Sequence, residues 1–287
     1  MELLSLKTFK AVVDCGGVHA ASKHLHTVQS NVTARIKRLE DELEAPLFYR
    51  KGRKLELTPA GQTLMDYANK LLQLAHQAAV AVKQVGEAAG EIRIGSMESF
   101  AAVRMPGVLQ ALRRQHPQLL PKVQSATTGQ LIQDLLDYKL DCAFVGGPVH
   151  HPDLDCHQVL VEELVMVSAK TLPPADALIM FREGCAYRER ALRWLSDNGR
   201  TETEILHMGT QEGILGCVAV GLGFTLVPRQ VAENCRYAND LKLETLDEQY
   251  SQVPTLLITH KQAMPMAGID TLLQLFRKTP PEWESAA

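Results

Sequence analysis

Leu3, Leu6, Phe9, Val12 and Val13 recur at helical spacing and stop at Gly16-Gly17, which predicts a first helix over residues 5–14. Ala20 to Leu25 reads as a short second helix. After a break at His26-Thr27, Val28, Val32, Ile36, Leu39 and Leu43 follow at steps of four, four, three and four residues. They mark the apolar face of a third helix. Its opposite face carries Ser30, Asn31, Ala34, Lys37 and Arg38, with Gln29 and Thr33 at the flanks. Leu47-Phe48 then leads into YRKGRKLELT, where Lys51-Gly52 signals a turn and Leu55 and Leu57 alternate. That pattern is a small two-stranded wing.

Thr58-Pro59 opens a long helix, because Thr caps well and Pro is tolerated at the first helical position. Leu64, Ala68, Leu71, Ala75, Ala78, Val82 and Val85 step by four and three alternately, a heptad seam. A seam this narrow favours pairing with a second copy over packing within the chain. GEAAG, residues 86–90, reads as a linker.

From residue 91 strand and helix patterns alternate. IRIG, PKVQSATT, DCAFVGG, EELVMVSA, the stretch after GLG and TLLITHK read as strands. Residues 100–115, GQLIQDLLDYKL, the segment after REGC, EGILGCVAV and residues 266–277 read as helices. This is an α/β pattern with a mostly parallel sheet. The number of βα units is too great for one short sheet, so two lobes are expected.

The whole chain has 287 residues and a net charge of −3, with ordinary hydrophobic and charged fractions. That charge is unevenly spread. Residues 1–58 hold ten of the thirty Lys/Arg and seven of the thirty-three Asp/Glu, so a net +3 stands ahead of a −6 remainder. A basic first unit on an acidic body suggests a polyanionic partner for the first unit alone. MELLSLKTF resembles no signal peptide and no stretch is long and apolar enough to span a membrane, so a cytoplasmic protein is expected. The six cysteines, at 15, 142, 156, 185, 217 and 235, show neither disulfide nor zinc spacing.

A helix, a turn and a second helix with a polar outer face form a helix-turn-helix pattern. Gln29 and Asn31 carry amides suited to adenine, and Ser30 and Thr33 suit a base or phosphate. Lys37, Arg38, Arg50, Lys51 and Arg53 suit phosphate. A bare amphipathic helix pair would be read as a solvated face. The basic wing, and the absence of any acidic residue from Lys23 to Arg38, favour DNA instead.

Ala20-Ala21, Leu25, Gln29, Ile36, Leu39-Glu40, Leu43, Pro46-Leu47-Phe48, Arg50 and Thr58-Pro59-Ala60-Gly61 share their spacing with one family. The segment Phe9 to Gly61 resembles the N-terminal domain of LysR-type transcriptional regulators, and the similarity runs on through nearly the whole chain. The resemblance implies an α/β protein in three parts. These are a winged helix-turn-helix (residues 1–58), a linker and dimerisation helix (59–90), and a two-lobed effector domain similar to periplasmic binding proteins (91–287). Lobe I takes about 91–162 and 266–287, and lobe II about 163–265. The sequence departs from the family's pattern in three places: Thr33 for a usual Ser, Ala34 where many members place an Arg, and Glu44 for a common Gly. Arg35 is a neighbouring candidate for the contact missing at Ala34. The expected DNA-binding set is therefore Gln29, Ser30, Asn31, Thr33, Arg35, Lys37, Arg50 and Arg53.

In open α/β folds ligands sit where strands end and helices begin. GSMESF and SATTGQ are two such places, giving Ser96, Met97, Glu98, Ser99, Thr127 and Thr128. Ordinary N-capping is the competing reading at each. The resemblance favours an effector cleft and adds Phe144, Val145, Cys185, Tyr187 and Arg188. No GxSxG elbow, P-loop or strand-borne GxGxxG is present, which argues against a hydrolase or transferase. A plain solute-binding protein would leave residues 1–60 unused. His150-His151 beside Asp153 and Asp155 reads as a solvated turn rather than a metal site. The expected partners are double-stranded DNA, other copies of the chain (a dimer, and a tetramer as a dimer of dimers) and, for an activator, RNA polymerase. No cofactor, metal, catalytic residue or membrane partner is expected, only a small-molecule effector of unknown identity.

Overall fold

In the computed structural model the described residues are 1–51, 54–83, 89–173, 175–263 and 265–277. Arg53, Gly52, Val85 and linker residues 86–88 lie outside them, as does the C-terminal part of lobe I beyond residue 277. The chain divides into two compact units, Met1–Val82 and Lys83–Ala287.

The first unit contains α1 (Leu3–Asp14), α2 (Val18–His24), α3 (Gln29–Leu43), β1 (Phe48–Lys51), β2 (Lys54–Leu57) and α4 (Pro59–Lys83). The apolar periods of α1 and α3 bury Leu6, Phe9, Val12, Val32, Ile36 and Leu39 together with Leu47 and Phe48. The Phe9 and Phe48 rings meet at a centroid distance of 5.4 Å. β1 and β2 pair antiparallel from Phe48↔Leu57 to Lys51↔Lys54, forming the wing. Glu44 ends α3 in the left-handed region at φ 51°, the conformation that a glycine would adopt without strain.

Two side chains fix the path from α3 to α4. The Glu40 carboxylate accepts the Leu47 N–H at 2.7 Å. The Thr58 hydroxyl accepts the Gly61 N–H at 2.9 Å, as an N-cap should, and donates to the Pro46 carbonyl at 2.6 Å. Gly61 is needed because a Cβ there would run into the Leu47 carbonyl. The heptad seam divides along its length. Leu64 and Ala68 are buried in the winged-helix core, whereas Leu71 and Val82 are exposed, as is Leu74 beside the seam.

The second unit runs β3 (Gly90–Ser96), α5 (Glu98–Val103), α6 (Met105–Gln115), β4 (Leu119–Ser125), α7 (Thr128–Leu136), β5 (Cys142–Gly146) and β6 (Leu154–Ala169). Next come β7 (Ala177–Met180), α8 (Ala186–Asp197), β8 (Glu204–His207), α9 (Gln211–Ala219), β9 (Thr225–Pro228) and α10 (Arg229–Glu233). The chain then forms β10 (Leu241–Thr245), α11 (Glu248–Ser251), β11 (Gln252–His260) and α12 (Ala267–Leu275).

Among the described residues the main sheet has the order β10-β6-β11-β5-β3-β4, with β9 also on β6. Only β3–β4 and β3–β5 are parallel within it; β7 and β8 form a separate parallel pair. The sheet is therefore mixed, not mostly parallel. The cause is β6 and β11, which run antiparallel from Gln252↔Glu163 to His260↔Leu154. β6 also continues beyond that ladder to pair with β9 and β10. One strand leaves lobe I and the other returns. The helix expected over 100–115 is broken at Arg104 into α5 and α6, with Pro106 at the start of α6.

Lobe I packs Leu131, Leu135, Val145 and Ile258 in one core, with the Phe100 and Phe144 rings stacked at 4.3 Å on its other side. β11 therefore lies in lobe I and not in the expected lobe II span of 163–265, because it pairs with β5. Lobe II packs Val165, Ile179, Leu215 and Val227 on one face of its strands and Leu178, Ala191, Phe224 and Tyr250 on the other.

Replacing Thr58 with Ala removes the cap and is expected to cost about 1 kcal/mol. Hydrogen exchange at the Gly61 amide should then quicken about fivefold. An unchanged exchange rate would show that Thr58 does not hold the start of α4.

Candidate functional site

α3 presents the side chains expected to read DNA. Val32, Ile36 and Leu39 hold it in the core, which leaves Gln29, Ser30, Asn31, Thr33, Ala34, Lys37 and Arg38 exposed. Arg35 is half-buried, at the edge of the packed face, while Ala34 is exposed. Gln29 Nε2 lies 2.9 Å from His19 Nδ1, and Asn31 Nδ2 donates to Thr27 Oγ1 at 3.1 Å. These contacts orient both amides at the N-terminal turn of α3, the part of such a helix that meets base edges. Arg50 lies in β1 of the wing.

In the second unit a cavity of about 160 Å³ opens where strands end and helices begin. Lobe I supplies Met97, Glu98 and Ser99 from the β3–α5 junction, and Ser125 to Thr128 from the β4–α7 junction. Lobe II supplies Cys185, Ala186 and Tyr187 at the start of α8, with Phe181 after β7 and Gly209 after β8. A dry cavity of about 150 Å³ holds one benzene, so this one suits a small ligand.

Among the described residues, three hydrogen bonds cross between the lobes around it. Ser99 Oγ and the Tyr187 hydroxyl are 3.1 Å apart. The Gly129 N–H donates to the Gly184 carbonyl at 3.0 Å, and the Gln211 N–H donates to Glu98 Oε1 at 2.8 Å. Gly184 lies at φ +85°, a left-handed conformation that favours glycine. Glu98 thereby caps α9, so its charge is already engaged. Thr128 Oγ1 accepts the Gly146 N–H at 3.2 Å, which leaves its own proton free to donate.

Burial pushes the Tyr187 phenol well above its ordinary pKa, against the opposing effect of its hydrogen bond to Ser99. Burial likewise raises the Cys185 thiol, against the Arg188 and Tyr187 backbone N–H groups that favour its thiolate. Both groups are therefore neutral hydrogen-bonding partners near pH 7.

Seven of the expected cleft residues line this cavity: Met97, Glu98, Ser99, Thr127, Thr128, Cys185 and Tyr187. Four do not. Ser96 is fully buried and donates to the Met97 carbonyl. Phe144 is stacked between core rings, and Val145 is packed against the α7 side of lobe I, because β5 is covered on both faces. Arg188 is half-buried off the cavity, and its Nη1 has no partner among the described residues. Phe181 and Gly209 were missed because β7 and β8, whose ends they follow, are too short to stand out in the sequence. Among the described residues no group of three His, Cys, Asp or Glu could hold a metal ion, and no helix is long and apolar enough to cross a membrane.

Comparison with known proteins joins the two units. Residues 3–62 match the model for the bacterial regulatory helix-turn-helix protein, lysR family. Residues 86–280 match the LysR substrate binding domain. The chain belongs to the LysR family.

Its relatives within that family are transcriptional regulators. The HTH-type transcriptional regulator YusT of Bacillus subtilis (strain 168) is 36% identical, over 96% of this chain and 95% of its own length. CzcR of Bacillus anthracis is 36% identical over 92% of each chain. GltR of Bacillus subtilis (strain 168) is 33% identical over 96% of each. A full-length OxyR variant from Pseudomonas aeruginosa shares the fold with a TM-score of 0.70 at 19% identity, covering 96% of this chain and 95% of that one. Full-length CbnR, in a complex with its target DNA, does so with a TM-score of 0.67 at 22% identity, covering 96% and 99%. This LysR-family chain is accordingly a DNA-binding transcriptional regulator with a helix-turn-helix domain and an effector-binding domain.

Proposed function

We propose that α3 reads a pseudo-palindromic promoter site and that a small molecule in the Met97–Thr128–Tyr187 cavity sets the response. The observation that carries the reading is the exposed, orientated N-terminal turn of α3. Gln29, Ser30, Asn31 and Thr33 supply base-reading groups, and Lys37, Arg50 and Arg53 supply phosphate contacts. With Ala34 lacking a polar side chain, Arg35 completes the set from the helix edge. CbnR was solved with its target DNA, and the same mode of engagement is assigned to this chain.

Two half-sites require two copies. The α4 stripe of Leu71, Leu74 and Val82, with Leu74 at 56% and Val82 at 74% exposure, offers the apolar face for pairing. A dimer of dimers then places two pairs on one promoter, in the cytoplasm where the DNA is. In vitro transcription with and without the protein separates an activator that engages RNA polymerase from a repressor.

Ligand binding at the cavity acts on the three inter-lobe hydrogen bonds around it. The N-terminal turns of α7 and α8 favour an acceptor group on the ligand, while Met97, Ala126 and Phe181 favour an apolar body.

Gln29→Ala is expected to weaken binding to the cognate site by about 1–3 kcal/mol while leaving binding to random DNA in place. Equal losses on both, measured by fluorescence anisotropy, remove Gln29 from base reading. Leu74→Asp is expected to lower the sedimentation mass and with it the affinity for the palindrome; an unaltered mass rules out the α4 interface. Thr128→Ala is expected to abolish the rise in melting temperature produced by a ligand found by thermal-shift screening of organic acids, amino acids and amines. DNA binding should survive that change. A retained shift takes Thr128 out of the site.

A further inference from the structure

His19 stands in the first turn of α2 with its side chain exposed, ten residues before Gln29 in the chain. Its backbone is firmly held. Ala21 is fully buried in the winged-helix core, and the buried Ser22 hydroxyl donates to the His19 carbonyl at 2.9 Å. α3 is anchored in the same core by Val32 and Ile36. The 2.9 Å contact between Gln29 Nε2 and His19 Nδ1 therefore joins two fixed supports across the turn of the helix-turn-helix.

The chemistry of that contact gives it a direction. An amide nitrogen only donates, so Nδ1 accepts and the ring proton sits on Nε2. The Gln29 amide has two N–H groups, and His19 occupies one of them. Oε1 and the second N–H remain for a base. An acceptor beside a donor is the complement of adenine, whose N6 donates and N7 accepts in the major groove. Guanine shows two acceptors there, O6 and N7, and requires the amide to turn its nitrogen outward. That turn sets Oε1 against Nδ1, acceptor against acceptor. A glutamine without this partner meets no such penalty and presents either end. It also has more rotamer freedom to lose on binding.

We propose that His19 is a specificity-determining residue of this regulator, holding the Gln29 amide through Nδ1 so that its acceptor–donor edge reads adenine and refuses guanine. The proposal rests on base reading by Gln29. His19 itself touches no base; it is a positioning residue that acts through Gln29.

Selection of binding sites from a randomised duplex library by the full-length protein, followed by sequencing, tests it. The position read by Gln29 is the one whose preference disappears in Gln29→Ala. There the wild type is expected to favour adenine over guanine by about fivefold or more. His19→Ala should cut that ratio by about threefold or more, with preferences at other positions kept. His19→Asn should retain it, because the Asn oxygen stands the same number of bonds from the backbone as Nδ1 and accepts in its place. In the Gln29→Ala background, His19→Ala should change nothing further at that position. His19 is exposed, so these substitutions leave the core intact. The proposal is overturned by an unchanged ratio in His19→Ala, by a ratio lost as fully in His19→Asn as in His19→Ala, or by guanine favoured in the wild type. A further change at that position in the double variant overturns it too, by giving His19 a contact of its own. If Gln29→Ala leaves every preference in place, base reading by Gln29 fails and this proposal with it. Failure in the His19 variants alone leaves that reading standing.

Discussion

Gln252 to His260 of β11 pair with Glu163 to Leu154 of β6, and both lobes of the effector domain hang from that ladder. On one side β11 passes its hydrogen bonds to β5 and so to β3 and β4. On the other, the far half of β6 carries β9 and β10. The ladder's register slips once, between Thr255 and Leu256, at the level where β5 joins. Buried backbone groups must be paired, so the two long strands form a continuous support rather than a loose tether. Helix contacts add to that support, since Val103 of α5 packs against the lobe II core.

That support explains why the cavity depends on a few contacts. Ser99 with Tyr187, Gly129 with Gly184 and Glu98 with Gln211 are the hydrogen bonds that bring the lobes together there. Close approach at Gly146 leaves no room for a Cβ against Ala186. Small residues thus allow the lobes to meet, and polar ones fix how far. The polar partners are also cavity walls, so whatever enters must come to terms with the contacts that hold the lobes closed. A coupling of this kind requires a ligand that binds the closed and open arrangements unequally.

The winged helix depends on a different device. Glu40 and Thr58 satisfy backbone groups in the turns on either side of the wing, and the close approach of Gly61 to Leu47 seats α4 against the core. α3 is held rigid by Val32, Ile36 and Leu39 while its other face is left to solvent. A reader of DNA needs this combination, since side chains on a mobile helix would lose in entropy what they gain in base contacts.

Local periodicity determined the first unit from sequence alone. A period of 3.6 residues with one apolar face specifies which side chains of α3 point outward, so Gln29, Ser30, Asn31 and Thr33 were legible before any fold was known. The cap at Thr58 was legible for the same reason, as local backbone chemistry, whereas Glu44 stood out only against the family's usual Gly. The cleft was legible only in part. Ser99, Thr127 and Thr128 stand at strand-to-helix junctions, which the chain announces. DCAFVGG announced a buried strand but not what covers it. Tertiary packing decided that Phe144 faces core rings and Val145 faces α7, with neither reaching the cavity. The mixed sheet, the break at Arg104 and the walls at Phe181 and Gly209 were decided there as well. Each depends on segments far apart in sequence meeting in space, and no local pattern carries that information.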